Sequence, residues 1–369
     1  MKIRDICKYG MKSKIKAGDG LDKGKYKFYT SSSACSKYLN IAQFEEPGII
    51  MGTGGNATLH YSEGDFSVST DCVVLFPNSN VNSKYLYYFF KKNMKVLEAG
   101  FKGAGLKHTS KKYIDEIDMV YIPEVPVQLE VVKTLDKVSN IIDNRLEQLC
   151  ELDMLIKSQF IEMFGDLAMN PYSWKEQLLS ELCKEKDDIK CGPFGTQLSK
   201  HEYQKEGVPL WGIPQINAMF KIQPTDYLTK KKAEQLDSYT IIPGDIVMSR
   251  KGNVGRCAIY PKKFPLGIMH SDALRIRTDV SLINPDFLVH QLHYSRYVVN
   301  QINLVSNGAI MAGINVTKLK SIYIHVPPIE LQNQFASFVQ QVEKQKVLIQ
   351  KSLDETQTLF DSLMQKYFG

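Results

Sequence analysis

Cationic side chains and an asparagine surround two glycines in the stretch MSRKGNVGR, residues 248–256. Arginine can pair with guanine through two parallel hydrogen bonds, and asparagine can pair with adenine in the same way. A glycine has no Cβ and lets the backbone approach a surface closely. This combination of residue types is suited to contacting the edges of nucleic-acid bases.

A second stretch, MGTGGNATLHY at residues 51–61, has the same frame with different chemistry. Three residues correspond between the stretches: Met51, Gly55 and Asn56 with Met248, Gly252 and Asn253. Thr53 and Gly54 stand where the other stretch has adjacent Arg and Lys. A basic, glycine-containing segment, GFKGAGLKHTSKK at residues 100–112, could compensate for the missing charges. Its counterpart in the second half is the segment 306–318.

Two further loops, YTSSSACSKY at residues 29–38 and CGPFGTQLSKHEY at residues 191–203, are rich in hydroxyl and amide groups. Taken singly, each loop is better explained as a solvated turn, because such residues favour turns for local reasons. Two similar frames with different loop chemistry change that interpretation. Together they are suited to reading two different short sequences.

The whole chain repeats itself in order. Besides the two frames, four pairs of segments match: KIRDICK (2–8) with LLSELCK (178–184), STDCV (69–73) with HSDAL (270–274), NSKYLYYFF (82–90) with NPDFLVHQL (284–292), and YIPEVPVQLEVV (121–132) with YIHVPPIELQNQ (323–334). Each half also ends on Phe-Gly. Ordered self-similarity is typical of repeated units. About twenty extra residues enter the second copy near 190–240.

Each copy predicts the same order of elements. Short β-like runs (GIIMG, CVVLF, DIVMS, ALRIR) alternate with Gly, Asn, Ser and Pro. One short helix follows, at residues 83–92 or 285–295, and then a strand, at 119–122 or 322–326. After a proline stop, each copy continues into a long helix, because proline can begin a helix but cannot continue one.

Apolar residues in both long segments recur in steps of three and four, which predicts a seam for coiled-coil packing. About 36 residues give a rod of roughly 55 Å. Each helix could pack along its own globular half. We expect instead that the two helices pack antiparallel on each other, because a narrow stripe fits another helix better than a broad domain surface.

Composition sets wide limits on function. The 369 residues carry a net charge of +6, which permits a polyanionic partner without requiring one. The seven cysteines contain no C-x-x-C pair, so neither a disulfide framework nor a zinc site is indicated. No apolar run approaches the roughly 18 residues of a membrane span. We therefore expect a soluble, intracellular protein.

Motifs of enzyme active sites fail when they are compared residue by residue. GDGLDKGKY (18–26) lacks the first glycine and the hydroxyl of a phosphate-binding loop, and NPYS (170–173) lacks the second proline of an amino-methyltransferase element. GTGGN (52–56) has no helix pattern behind it. His270, Ser271 and Asp272 are adjacent and cannot relay a proton as a triad does. The sequence favours a binding protein with no catalytic or metal-binding residues, although an enzyme with an unrecognised site stays open.

Four stretches carry a resemblance to a known family: VPPIELQNQ, PGDIVMSRKGNVG, CGPFGTQL, and FEEPGIIMGTGGN followed by FSVSTDCVVLFP. They resemble the specificity (S) subunit of type I restriction–modification systems, over the whole chain. The resemblance implies an α+β fold in which two similar α/β target recognition domains are separated by two long antiparallel helices packed as a coiled coil, with a pseudo-twofold internal repeat. The expected boundaries are 1–125 and 166–326 for the domains, and 126–165 and 327–369 for the helices.

The same resemblance implies a non-catalytic subunit that binds double-stranded DNA in the cytoplasm, away from membranes. Each domain would recognise one half of a bipartite site, with the spacing set by the helices. Two modification subunits would methylate adenine with S-adenosylmethionine, and restriction subunits would use ATP and Mg²⁺, so no cofactor is expected on this chain. From the resemblance and the residue chemistry, the expected DNA-binding residues are Thr53, Asn56, Lys102, Lys107, Gln197, Arg250, Lys251 and Asn253.

Besides an enzyme with an unrecognised site, two alternatives stay open at this point. One is the specificity chain of a fused restriction–methylation enzyme, which would differ in partner and not in fold. The other is a coiled-coil scaffold whose globular halves bind protein. DNA binding should weaken steeply with salt, because counterions are released from the phosphates, whereas apolar docking of a protein should not.

Overall fold

The computed structural model describes residues 1–119, 121–306 and 313–369. The chain forms two compact units. The first contains Met1–Glu147 together with Gln350–Gly369, and the second contains Gln148–Ile349. Each unit therefore includes part of both long helices.

The first unit is built from short elements followed by one long helix. Its helices are α1 (Ile3–Ile6), α2 (Ser83–Lys92), α3 (Met94–Ala99), α4 (Lys111–Asp115) and α5 (Val125–Phe164), the last of which continues into the second unit. Its strands are β1 (Cys7–Tyr9), β2 (Tyr26–Tyr29), β3 (Lys37–Leu39), β4 (Gly48–Gly52), β5 (Leu59–Ser62), β6 (Phe66–Val68) and β7 (Cys72–Pro77).

The second unit repeats this plan with additional elements. Its strands are β8 (Lys175–Leu178), β9 (Ile189–Cys191), β10 (Val208–Trp211), β11 (Asp226–Leu228), β12 (Thr240–Ile241), β13 (Ile246–Ser249), β14 (Cys257–Ile259), β15 (Gly267–Met269), β16 (Ala273–Ile276) and β17 (Tyr323–Val326). Its helices are α6 (Ile213–Asn217), α7 (Lys230–Gln235), α8 (Pro285–Tyr294), α9 (Arg296–Ser306), α10 (Val316–Lys320) and α11 (Ile329–Phe368), whose last part belongs to the first unit.

The sheets of the two units have matching strand orders. In the first unit the main sheet runs β1-β7-β4-β5, and in the second it runs β9-β16-β13-β14. A smaller sheet has the order β3-β2-β6 in the first unit and β11-β10-β15-β12 in the second. In both small sheets one pair is parallel: Tyr29 is opposite Val68, and Trp211 is opposite Met269. The internal repeat predicted from the sequence is therefore a repeat of the fold.

The predicted runs at residues 48–52, 72–76, 245–249 and 273–277 coincide with β4, β7, β13 and β16, except that Asp245 and Arg277 lie just outside the strands. They are buried because the main sheet packs under the short helix of each unit. Ile49 and Leu75 are fully buried beneath Leu86 of α2, and Ile246 and Leu274 are fully buried beneath Leu288 of α8. The short helices at 83–92 and 285–294 also agree with the prediction.

One predicted strand of the first copy is wrong. Met119, Tyr121 and Ile122 belong to no strand, and Val120 lies outside the described residues. In the first unit, the chain start contacts this segment through a bridge between Lys2 and Asp118 and hydrogen bonds between Met1 and Met119, whereas in the second unit β17 pairs along its full length with β8. In the second copy, β17 therefore has a partner strand, Lys175–Leu178. This strand was not predicted, because its polar residues show no strand pattern in the sequence.

The two long helices pack together and run antiparallel. In the first unit, Leu135 of α5 shares a core with Phe360 and Met364 near the end of α11. In the second unit, Phe160 near the end of α5 lies with its ring 5.4 Å from that of Phe335 near the start of α11. The predicted apolar seam is therefore a packing seam, and both helices are 40 residues long.

A buried glutamine fixes the start of each long helix. Gln128 accepts a hydrogen bond from the N–H of Asn82, the N-cap of α2, and donates to the carbonyl of Pro123. In the second unit, Gln332 makes the same contacts with Asn284 and Pro327. The proline stops at 123 and 327 therefore correspond in the structure. The sequence match of 121–132 with 323–334 is shifted by two residues from this correspondence.

Among the described residues, no helix is long and apolar enough to span a membrane.

Candidate nucleic-acid interface

The two frames singled out from the sequence are the loops of two β-hairpins at matching places. Loop A (residues 53–58) connects β4 to β5, and loop B (residues 250–256) connects β13 to β14. Each loop follows a strand whose residues are all buried, so the start of the loop is held by the core of its unit. Loop residues can then vary in chemistry while their position stays fixed.

A backbone hydrogen bond anchors each loop to the turn before the next central strand. The N–H of Thr53 donates to the carbonyl of Asp71 at 2.7 Å, and the N–H of Arg250 donates to the carbonyl of Asp272 at 3.0 Å. Both aspartates lie in the segments STDCV and HSDAL that match in sequence. The residues of loop A and loop B can therefore be paired one by one: Thr53 with Arg250 and Gly54 with Lys251.

A second anchor comes from the segment that follows α3 in the first unit and α9 in the second unit. The N–H of Thr109 donates to the carbonyl of Thr53, and the N–H of Ile314 donates to the carbonyl of Arg250, both at 3.0 Å. The counterpart of the basic segment 100–112 is thus also placed beside loop B. Its residues 307–312 lie outside the described residues, so the loop that we matched at 306–318 is seen only at its ends.

Glycine is required at the same place in both loops. Gly55 has a φ of +82° and Gly252 a φ of +68°. This left-handed region is strained for residues that carry a Cβ. The Gly-Asn pair found in both sequences therefore reflects a shared backbone turn, with Asn56 and Asn253 exposed directly after it.

In the first unit, the structure brings together all four residues that we expected to bind DNA. Lys102 and His108 exchange two backbone hydrogen bonds of 3.0 Å and close a small hairpin, residues 101–109. The carbonyl of Lys107 accepts from the N–H of Gly55 at 2.9 Å, which places this hairpin against loop A. Asn56 and both lysines are exposed. The hairpin therefore supplies two cations to a loop that has none of its own.

The side chain of Thr53 is engaged within the protein. Its hydroxyl donates to the Asp71 carbonyl at 2.9 Å. Beside it lies an open groove of about 440 Å³, lined by Thr53, Gly54, Gly55, Thr70, Asp71, Leu106 and His108. The groove gives loop A a concave surface whose lining includes one acidic residue, Asp71.

In the second unit, Arg250 is held by contacts on the inner side of loop B. Its Nη1 lies 3.0 Å from the Sγ of Cys191 and 3.3 Å from the carbonyl of Ser271. Its guanidinium carbon lies 5.6 Å from the ring centre of Phe194. Burial raises the pKa of the Cys191 thiol, although the nearby guanidinium opposes that shift. The contacts fix where Arg250 can present its charge.

Lys251 forms an ion pair with the side chain of the anchoring aspartate. Its Nζ lies 2.9 Å from Asp272 Oδ1, and His270 Nδ1 lies 3.6 Å from Asp272 Oδ2. Burial lowers the pKa of His270, with the Asp272 charge opposing the change. Lys251 keeps about half of its side-chain surface exposed, at 47%. An ammonium group has three donors, so Lys251 can contact a phosphate while it stays paired with Asp272.

Gln197 lies in the same region of the second unit. Its Oε1 accepts from the N–H of Phe194 at 3.2 Å and from the hydroxyl of Tyr239 at 2.9 Å. Phe194, which also lies under Arg250, is 57% exposed. The structure thus brings Gln197 and Arg250 together at Phe194, and Lys251 follows Arg250 in loop B.

Sequence reasoning missed several residues at these two surfaces. Asp71, Thr70 and His108 line the groove beside loop A, and Phe194 and Asp272 lie beside loop B. The match between STDCV and HSDAL contained both aspartates and was the signal that could have found them. Among the described residues, no group of three His, Cys, Asp or Glu side chains is placed to hold a metal ion.

The chain matches a protein-family model described as the type I restriction modification DNA specificity domain, over residues 1–151 and 171–357. The type I restriction enzyme MjaVIII specificity subunit of Methanocaldococcus jannaschii is 22% identical, over 93% of this chain and 85% of its own length. The MjaX specificity subunit of the same organism is 27% identical, over 46% of this chain and 41% of its own length.

A solved structure, that of the type I restriction–modification S subunit from M. genitalium, superposes on the whole chain and on 95% of its own length. Its TM-score is 0.69 at 15% sequence identity, which shows a common fold. This chain and that S subunit thus share an architecture of two repeated α/β units with two long paired helices. The chain belongs to the family of type I restriction–modification DNA specificity subunits.

Proposed function

We propose that this chain reads a bipartite DNA site, one half with each globular unit. The observation that carries the proposal is the duplicated loop frame: the anchors at Thr53 and Arg250 are alike, whereas the side chains that follow differ. A shared frame supports the same approach to a double helix. Different side chains support recognition of two different base sequences.

The surface chemistry supports DNA as the partner. Exposed cations lie beside both loops, at Lys102 and Lys107 in the first unit and at Lys251 in the second. Such cations contact phosphates and fix the position of the protein along the duplex, whereas contacts to base edges carry the sequence information. Asn56, Gln197, Arg250 and Asn253 have the side-chain types for the second task.

The packed helices α5 and α11 would set the distance between the two halves of the site. They would also provide the surface on which two modification subunits dock, since an internal twofold repeat offers one partner two equivalent positions. Those subunits would supply adenine methylation from S-adenosylmethionine. Restriction subunits would add ATP- and Mg²⁺-dependent cleavage, so the chain itself acts by recognition in the cytoplasm and not by catalysis.

The proposal is tested by selecting DNA from a random duplex pool with the chain assembled with its methylating partner. Sequencing of the retained duplexes should reveal two short motifs separated by a spacer of fixed length and no sequence preference. A single continuous motif, or retention without any sequence preference, would contradict the proposal. A specificity chain of a fused restriction–methylation enzyme would give the same motif with a different partner.

A further inference from the structure

Asp71 is a polar residue of the groove beside loop A whose backbone is held by three hydrogen bonds. Its carbonyl oxygen accepts hydrogen bonds from the N–H of Thr53 (2.7 Å), from the hydroxyl of Thr53 (2.9 Å) and from the hydroxyl of Ser31 (2.7 Å). These partners belong to different parts of the unit. The backbone of Asp71 is therefore fixed relative to both loop A and the segment that follows β2.

Asp71 is a half-buried residue and is one of those that line the groove. Its Oδ1 accepts a hydrogen bond from the hydroxyl of Thr70 at 2.8 Å. Within the described ranges of the chain, no lysine, arginine or histidine nitrogen forms an ion pair with it. The groove is thus lined by a residue whose carboxylate has unused lone pairs.

The second unit shows what neutralises a carboxylate at this position. Asp272, the counterpart of Asp71, is paired with Lys251 at 2.9 Å. The counterpart of Lys251 in the first unit is Gly54, which has no side chain to offer. The two units therefore share the aspartate and differ in whether the protein itself supplies its partner.

A carboxylate facing DNA is repelled by phosphates and is costly to cover without a hydrogen-bond donor. The donors that DNA presents in its major groove are the amino groups of cytosine (N4) and adenine (N6). In adenine the amino group lies beside the N7 acceptor, which repels a carboxylate, whereas cytosine has no acceptor on that edge.

We propose that Asp71 is a specificity-determining residue that accepts a hydrogen bond from the N4 amino group of a cytosine in the half-site bound by the first unit. The inference rests on the proposed function, because it requires that loop A faces DNA. It adds the base type and the residue that reads it. The base facing Asp272 is not restricted in the same way, since Lys251 already satisfies that carboxylate.

The test uses the full chain assembled with its methylating partner and the random-pool selection described above. The unmodified chain should select a motif with one required cytosine in the first half. Asp71→Asn keeps the shape and adds a donor, so the preference for cytosine at that position should fall by about ten- to a hundredfold. Asp71→Ala should make the same position degenerate. The other half of the motif should not change.

A second variant separates recognition from folding. Gly54→Lys places an amine opposite Asp71, as Lys251 stands opposite Asp272, and leaves the aspartate in place. A Cβ at residue 54 would lie 3.3 Å from the ring of the exposed His108, which can turn aside. This variant should also lose the cytosine preference, with the thermal unfolding midpoint of the unmodified chain.

Two outcomes overturn different claims. If the unmodified chain selects a bipartite motif and the cytosine preference survives in Asp71→Asn or in Gly54→Lys, the role of Asp71 is wrong and the proposed function stands. A bipartite motif whose first half contains no required cytosine would also show that the role of Asp71 is wrong while the proposed function stands. If the unmodified chain selects no bipartite motif, the proposed function itself fails.

Discussion

Gln332 and Asn284 tie the start of the last long helix to the start of a short one: the Asn284 N–H donates to Gln332 Oε1 at 2.8 Å. The Gln332 amide in turn donates to the Pro327 carbonyl at 2.7 Å, and the side chain is fully buried. Gln128 makes the same contacts in the first unit. These side chains join each long helix to the globular part that it must carry.

Gln332→Ala should destabilise the second unit by about 1–3 kcal/mol, because it leaves a buried N–H and a buried carbonyl without partners. The measurement is the unfolding transition of the full chain in denaturant. Gln334→Ala, two residues away on the exposed side of the same helix, is the matched control and should change little. Equal losses in the two variants would show that the buried amide has no such role.

Arg250→Ala and Lys251→Ala should each weaken binding of the selected duplex by about 1–3 kcal/mol, since each removes a cation from loop B. The loss should depend on the half-site bound by the second unit and not on the other half. Binding is measured by titration of the assembled chain against duplexes with one half-site scrambled at a time.

The control for these variants is Lys262→Ala. Lys262 is exposed and lies beyond the other end of the β13–β14 hairpin, away from loop B. It should bind like the unmodified chain. If Arg250→Ala, Lys251→Ala and Lys262→Ala bind alike, loop B does not contact the DNA.

Lys102→Ala and Lys107→Ala should weaken binding to all duplexes almost uniformly, because a lysine on an exposed hairpin contacts phosphate more readily than a base. Each loss should reduce the slope of log affinity against log salt by about one. Lys102→Arg and Lys107→Arg keep the charge and should restore the slope. A slope unaffected by the alanine variants would place the 101–109 hairpin outside the interface.

Acid should destabilise the second unit through His293. Burial, and then the nearby Arg256 cation, lowers the pKa of His293 to about 4, and its Nε2 accepts a hydrogen bond from the Cys257 N–H at 3.2 Å. The ordinary value in an unfolded chain is about 6.5. Between these values the unfolded state binds more protons, so stability is full above about pH 6.5 and falls as the pH decreases towards 4.

The contribution lost by pH 5 is about 2 kcal/mol for this one group. His293→Gln can accept the same hydrogen bond but does not titrate. It should therefore lose less stability than the unmodified chain between pH 7.5 and pH 5, measured as the unfolding midpoint at each pH. An equal loss in both proteins would assign the acid sensitivity to other groups.

The sequence was sufficient to predict the internal repeat, the strands β4, β7, β13, β16 and β17, the short helices and both long helices, whereas the predicted strand at 119–122 was wrong. The periodicity of residues such as Leu135 and Phe335 predicts which side of each long helix is buried. That the other long helix packs on this side was inferred from the narrow width of the apolar stripe. The predicted domain boundaries at 125/126, 165/166 and 326/327 stay predictions. The compact units divide the long helices between them.

Contacts between residues that are far apart in the sequence were harder to predict. Gln128 looks like an ordinary polar helix residue until Asn82, 46 positions earlier, is seen to need an acceptor. The β8–β17 pairing joins residues such as Glu176 and His325 that no local pattern connects. At the candidate interface, residue types predicted Arg250 and Asn253. The role proposed for Asp71 depends on the absence of a lysine at position 54, which only the comparison of the two loops reveals.

The central claim is that loop A and loop B contact different halves of one DNA site. It is tested most directly by placing a photoreactive amino acid at Asn56 or at Asn253, both exposed at their loop tips, in the full chain assembled with its methylating partner. After irradiation with the selected duplex, the cross-linked nucleotides are mapped. Residue 56 should cross-link within one half-site and residue 253 within the other. Cross-links of both residues to the same half-site, or to neither, would contradict the account.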